Sequence, residues 1–233
     1  MEKLIYVVWR RADVSVRDFK RKLLGQVAGE VVKLGARKLS MSIVDEDAEY
    51  AQASRITQMS DPMSATISIW LDTALGRAPV EQVIASAAAR YTGHLVTESV
   101  PIVNTTQTVP LGERTPGINT IAFLEKPDHM SYEAWLDRWQ GHHTQVAIDT
   151  QSTFLYIQNV VVRTLTEGAP PWTAIVEEGF PREALSDPMV FYAAGGSEEK
   201  LRENQTRMLE SCRRFIDFSR LESHPMSEYI LKD

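Results

Sequence analysis

Ser15-Val16-Arg17-Asp18-Phe19 in the first half of the chain and Ser131-Tyr132-Glu133-Ala134-Trp135 in the second share one shape. Each has a polar cap, an acidic residue in the turn that follows, and a large apolar side chain four positions after the serine. The likeness extends to Leu23 and Trp139, and the separation is constant, since 131−15, 135−19 and 139−23 all give 116. A short apolar run precedes each copy, Leu4-Ile5-Tyr6-Val7-Val8 and Ile121-Ala122-Phe123-Leu124. Between them lies a turn-rich stretch punctuated by Pro110, Gly112, Pro116 and Gly117. A closing echo, Glu98-Ser99-Val100-Pro101 against Glu222-Ser223-His224-Pro225, is offset by 222−98 = 124. That implies about eight residues gained in loops of the second copy. The chain therefore divides into an N-terminal repeat, residues 1–112, and a C-terminal repeat, residues 116–233.

With 233 residues and 43% hydrophobic content, the chain can bury a substantial core. A formal charge of −6, with no sustained Lys/Arg stripe interleaved with aromatics, argues against nucleic acid as a partner. Arg17, Lys20, Arg21 and Lys22 read as the solvated face of an amphipathic helix. The single cysteine, Cys212, rules out an intrachain disulfide and fits a reducing compartment. The apolar run before Arg10 and Arg11 is too short for a signal segment or a membrane span, so a cytoplasmic protein without membrane association is the expectation.

Residues 3–9 read as a strand and residues 15–34 as a helix capped by Ser15. Residues 37–45 and 65–71 alternate as strands, Pro79 opens a second helix, and 94–103 returns as strand. The second half repeats the order: strand 118–125, helix 131–147, strands 153–164 and 172–179, helix 197–215, and a last strand near 217–223. β-α-β-β-α-β is the order of a ferredoxin-like unit, in which two helices cover one face of a four-stranded antiparallel sheet. The bare face needs a partner, and the other copy can supply it. The fold class is thus α+β: two tandem ferredoxin-like units forming a pseudo-dimeric α+β barrel within one chain. A homodimer stays open as a further assembly.

The stretch Leu124-Glu125-Lys126-Pro127, Ser131 to Trp135, and Trp139-Gln140-Gly141-His142-His143 resembles an EthD domain of the dimeric α+β-barrel superfamily. The Trp-x-x-x-His pattern is matched by Trp139 and His143. The first half resembles a degenerate copy, with Gln26 and Val27 where the second has His142 and His143. The resemblance implies a lyase, cyclase, isomerase or cofactor-free oxygenase acting on a small apolar, aromatic or polyketide-like compound. It also admits haem with His143 as axial ligand; otherwise no cofactor is expected.

On an ideal helix centred on Trp139, at about 100° per residue, His143 falls about 40° to one side and His142 about 60° to the other, so both border the buried face. His143 is the candidate proton shuttle, because an imidazole titrates near neutral pH. His142, Trp139, Tyr156 and Gln158 are candidates for holding a small-molecule ligand. Glu177 and Glu178 are adjacent on a strand and face opposite ways, so only one can meet the helix layer, and Glu177 is the candidate for the cleft. Plain structural roles compete with each of these: a hydrogen-bonded histidine beside tryptophans, tryptophans in the core, and a polar strand facing solvent. Cys212 reads as a packed hydrophobe, and Gly195-Gly196-Ser197 as loop and helix cap. No nucleotide loop, H-E-x-x-H, C-x-x-C or G-x-S-x-G motif is present, and adjacent histidines diverge on a helix, so no metal site is expected. A non-catalytic ligand-binding or structural barrel is the alternative to an enzyme.

Overall fold

A computed structural model describes residues 1–233. The strands are β1 (Glu2–Trp9), β2 (Lys38–Ile43), β3 (Ala65–Leu71) and β4 (Arg90–Ile102), then β5 (Ile118–Leu124), β6 (Leu155–Thr164), β7 (Ala174–Phe180) and β8 (Glu222–Lys232). They close into one antiparallel barrel in the order β1-β3-β2-β8-β5-β7-β6-β4. Each half contributes four neighbouring strands, and two seams, β2 with β8 and β4 with β6, join them. The bare sheet faces therefore do not stack as two layers. They become the inner wall of a single cylinder, which removes every unpaired strand edge.

Helices cover the outside. In the first half these are α1 (Val16–Lys22), continued through a π-helical turn at Leu23–Val27 into α2 (Ala28–Lys33), and α3 (Ala78–Ala85). The second half has α4 (Tyr132–Leu136), a π-helical stretch at Asp137–His143, α5 (Thr144–Thr150), the short α6 (Pro188–Phe191) and α7 (Glu198–Cys212). Both matched serines cap their helices: Ser15 Oγ accepts from the Asp18 amide at 3.0 Å and Ser131 Oγ from the Ala134 amide at 3.2 Å. Ser197 caps α7 in the same way, after Gly195 and Gly196 in left-handed conformation. No helix is long and apolar enough to cross a membrane.

Alternation along each strand sorts side chains into two sets. Leu4, Tyr6 and Val8 pack outward under the helices, while Ile5, Val7 and Trp9 meet Ile121, Phe123 and Ile175 inside the barrel. The interior is polar at one end. Lys3, 4% exposed, donates to Glu98 at 2.6 Å and to Glu177 at 2.9 Å, and Asn159 donates to Glu177 at 2.9 Å.

Three expectations need correction. The sequence pattern places the last strand near 217–223, whereas β8 starts at Glu222 and runs to Lys232. Asp217 organises a turn there, accepting from the Ser219 amide at 3.0 Å and from Arg220 Nε at 2.8 Å. The Glu-Ser-x-Pro echo is not a structural equivalence either. Lys3 lies opposite Val96 and Asn119 opposite Met226, so Glu98 corresponds to Glu228 rather than Glu222. Lys20 is not purely solvated: its ammonium lies 2.7 Å from the buried Asp45 carboxylate, which also accepts from Ser227 and Tyr229 at 2.7 Å.

Lys3 is the one cation bonded to two carboxylates inside the barrel, so its loss leaves those charges uncompensated. Lys3→Met is expected to cost about 3 kcal/mol or more of unfolding free energy, as when one partner of a buried ion pair is removed. Urea unfolding would show this, with part of the loss recovered when Glu177→Gln is added.

Candidate functional site in the C-terminal half

A cavity of about 250 Å³ lies between the outer face of the β5–β8 sheet and the helices over it. Fourteen of its eighteen lining residues are hydrophobic, among them Trp139, Tyr192, Met208 and Phe215, so a ligand there would meet mostly apolar wall. The polar groups on the wall include His143, Tyr156 and Glu178. Ile56 of the first half completes the lining, held by paired backbone hydrogen bonds to Ser223 at 2.9 and 2.8 Å.

Register explains why the matching space in the first half is filled. Leu4 and Thr120, 116 apart (120−4), lie opposite Ile69 and Glu178 respectively. Leu39 pairs with Ile69 as Tyr156 pairs with Glu178. The first-half counterparts of Trp139, His143, Tyr156 and Glu178 are therefore Leu23, Val27, Leu39 and Ile69, all packed in one apolar core. Tyr6 adds its ring to that core where the second half has the small Ala122 (122−6 = 116), which lines the cavity.

Glu177 is not in this cleft. It points into the barrel toward Lys3, and its neighbour Glu178 faces the helices, as strand alternation requires. Glu178 is enclosed by protein yet keeps part of its surface open to the cavity, with no hydrogen-bond or ion-pair partner. Burial pushes its pKa up to about 7. No sequence pattern separated it from Glu177; the register of β7 did.

Tyr156 is buried, and its hydroxyl accepts from Trp139 Nε1 at 3.3 Å and from Gln158 Nε2 at 3.0 Å. Gln158 also donates to Thr144 Oγ1 at 2.8 Å, so it stands behind the tyrosine rather than on the cavity wall. With two donors already aimed at its oxygen, the Tyr156 O–H is free to donate to a ligand. Burial, followed by the charge of Glu178, raises its pKa and keeps it protonated.

His143 is 7% exposed, packs on the Phe215 ring at 4.7 Å and pairs through Nδ1 with Ser211 Oγ at 2.9 Å. Burial lowers its pKa to about 4, so the ring is neutral at pH 7. His142 lies outside the site: it is exposed, with Nε2 3.4 Å from Asp137. The π-helical stretch explains the departure from the even flanking expected of an ideal helix, because i→i+5 bonding changes the angle between successive side chains. Cys212 lines the cavity, its thiol pushed up to about 12 by burial and then by the Glu178 charge.

No three His, Cys, Asp or Glu side chains converge as a metal-ligand set. Haem does not fit this donor set either. The cavity lies below the roughly 300–1,000 Å³ usual for drug-sized ligands. No Lys or Arg lines it to meet the two propionates, and a carboxylate, Glu178, is there instead.

A closed barrel of eight antiparallel strands with helices outside, built here from one chain, is the dimeric α+β-barrel fold. Two solved structures share it across nearly their whole length. One, from Lactobacillus acidophilus, is assigned as a monooxygenase, with TM-score 0.51, 10% identity, and coverage of 99% of this chain and 96% of that one. The other is a dye-decolorizing peroxidase from Bacteroides thetaiotaomicron, with TM-score 0.51, 9% identity, and coverage of 99% and 93%. No family model and no curated protein matches the sequence.

The raised pKa of Glu178 also sets a pH dependence of stability. Below its ordinary value of 4.5 the carboxyl is protonated whether the chain is folded or not. Between there and about 7 only the folded state keeps the proton, so stability falls as pH rises through this window. Glu178→Gln removes this contribution, up to about 3 kcal/mol at 1.36 kcal/mol per unit. Thermal melts at pH 5 and pH 8 should show the variant gaining on the wild type at the higher pH.

Proposed function

We propose that the protein is a small-molecule enzyme of the EthD type, binding a compact aromatic or polyketide-like compound in the C-terminal cavity and removing a proton from it. The observation that carries this reading is the unpaired Glu178 carboxylate, held near neutrality in an apolar pocket. In that setting Glu178, rather than the neutral His143, is the general base. It takes the proton from an acidic C–H or O–H of the substrate while the Tyr156 hydroxyl donates to the oxygen on which negative charge develops. The electron pair left behind becomes an enolate or phenolate, and the proton resides on Glu178 until it returns to product or solvent. Trp139 and Gln158 fix the tyrosine oxygen, and His143, anchored by Ser211, supplies a neutral polar wall.

Such an intermediate is common to the isomerase, cyclase, lyase and cofactor-free oxygenase reactions implied by the EthD resemblance. The solved neighbours support the architecture. The half-reaction can be tested without the natural substrate by following deuterium exchange at the acidic methylene of 2-tetralone in D₂O by NMR. Wild-type protein should accelerate exchange over buffer, with a rate rising through about pH 7 as Glu178 ionises. Glu178→Gln should lower it on the order of a hundredfold and remove the pH dependence. Tyr156→Phe should slow exchange with the pH profile kept, and His143→Gln should keep the same apparent pKa. An unaltered rate in Glu178→Gln would reject the mechanism.

A further inference from the structure

We propose that the open end of the barrel is a second binding site, built to take a small organic cation whose ammonium group meets the carboxylate of Glu228. A cavity of about 270 Å³ opens there, on the opposite side of the β7 strand from the Glu178 pocket. Both halves of the chain build it. Lys3, Trp70 and Glu98 come from the first, and Ile157, Glu177 and Glu228 from the second.

The charges in this cavity do not balance. Lys3 is shared between Glu98 and Glu177, at 2.6 and 2.9 Å, and the Asn159 amide adds to Glu177. Glu228 is 6% exposed and lines the same space, yet no ion pair reaches its carboxylate. The Thr115 hydroxyl eases its charge by a hydrogen bond, and the Lys3 ammonium, paired with Glu98 and Glu177, does so only at longer range. The internal correspondence of the halves shows what is missing. Glu228 occupies the place in β8 that Glu98 holds in β4, because Val96 faces Lys3 as Met226 faces Asn119. Where Glu98 has the Lys3 ammonium, the matching position in the second half is Asn119, whose amide is spent on Ser42 at 3.2 Å. The barrel thus holds two related carboxylates and a cation for one of them.

Burial, reinforced by the neighbouring Glu177 charge, pushes the pKa of Glu228 up to about 7, which is the cost of keeping that anion without an ion-pair partner of its own. An ammonium ion placed against it would recover that cost. The remaining wall favours an organic cation over a hydrated metal ion: Val100, Leu155, Ile157 and Ile230 give an apolar lining, and no metal-ligand set forms. At the rim Lys38, Lys232 and Asp233 complete the charged groups facing the cavity, and Lys232 is tied to the Ala36 carbonyl at 2.7 Å. A primary amine on a short arylalkyl or branched alkyl body matches both the size and the polarity.

The test uses the intact chain and 2-phenylethylammonium as probe, followed by isothermal titration calorimetry at pH 8. Saturable one-to-one binding is expected, weakened tenfold or more in Glu228→Gln and unchanged within twofold in Glu178→Gln. Equal binding of 3-phenylpropanoate or of 2-phenylethanol would overturn the proposal, as would no binding, or undiminished binding in Glu228→Gln. Titration of the wild type alone gives a second readout that needs no variant to fold. At pH 6.5, binding should release protons as Glu228 ionises, so the apparent enthalpy should vary with the ionisation enthalpy of the buffer. A buffer-independent enthalpy there would contradict the assignment of Glu228.

Discussion

Backbone hydrogen bonding across the two seams, β2 with β8 and β4 with β6, is the constraint from which the rest of the molecule follows. A four-stranded sheet with helices on one side has a bare face and two open edges, and neither is stable in water. Joining the edges of two such sheets satisfies the edge groups and turns the bare faces inward in one step. The price is a narrow interior that must be filled. The chain fills one part with apolar side chains, including Trp9, Phe123, Trp172 and Met226, and the other with charges anchored on Lys3.

Strand alternation then gives the chain two separate hollows from one piece of sequence. Glu177 and Glu178 are consecutive, but one carboxylate stands in the barrel against an ammonium and the other stands under the helices against hydrocarbon. Burial without a partner raises the pKa of Glu178, and that of Glu228, which has no ion-pair partner, is raised by the same physics. Among the groups described, burial without compensation marks where a ligand could lower the energy of the molecule.

The asymmetry between halves rests on few positions. Leu23, Val27, Leu39, Ile69 and Tyr6 make the first-half layer continuous, while Trp139, His143, Tyr156, Glu178 and Ala122 line a cavity in the second. A π-helical turn occurs at the matching place in both halves, Leu23–Val27 and Asp137–His143, so the local helix geometry is common to them and only the side chains differ. Ile56 shows that the second-half cavity also draws on a first-half loop, through backbone pairing with Ser223.

The amino-acid sequence by itself determined the order of elements, both serine-capped helices and the α+β class. These are local matters of period, capping and composition, which neighbouring residues settle among themselves. Tertiary structure alone decided the rest. Which of two adjacent glutamates met the helices depended on the register of β7 against β5 and β6. Whether His142 or His143 faced inward depended on a π-helical turn that no propensity announces. The extent of β8 depended on β2 and β5 pairing along its length, and the acidity of Asp45 on a neighbour 184 positions away, Tyr229. Charge and burial act through space, and only folding sets those distances.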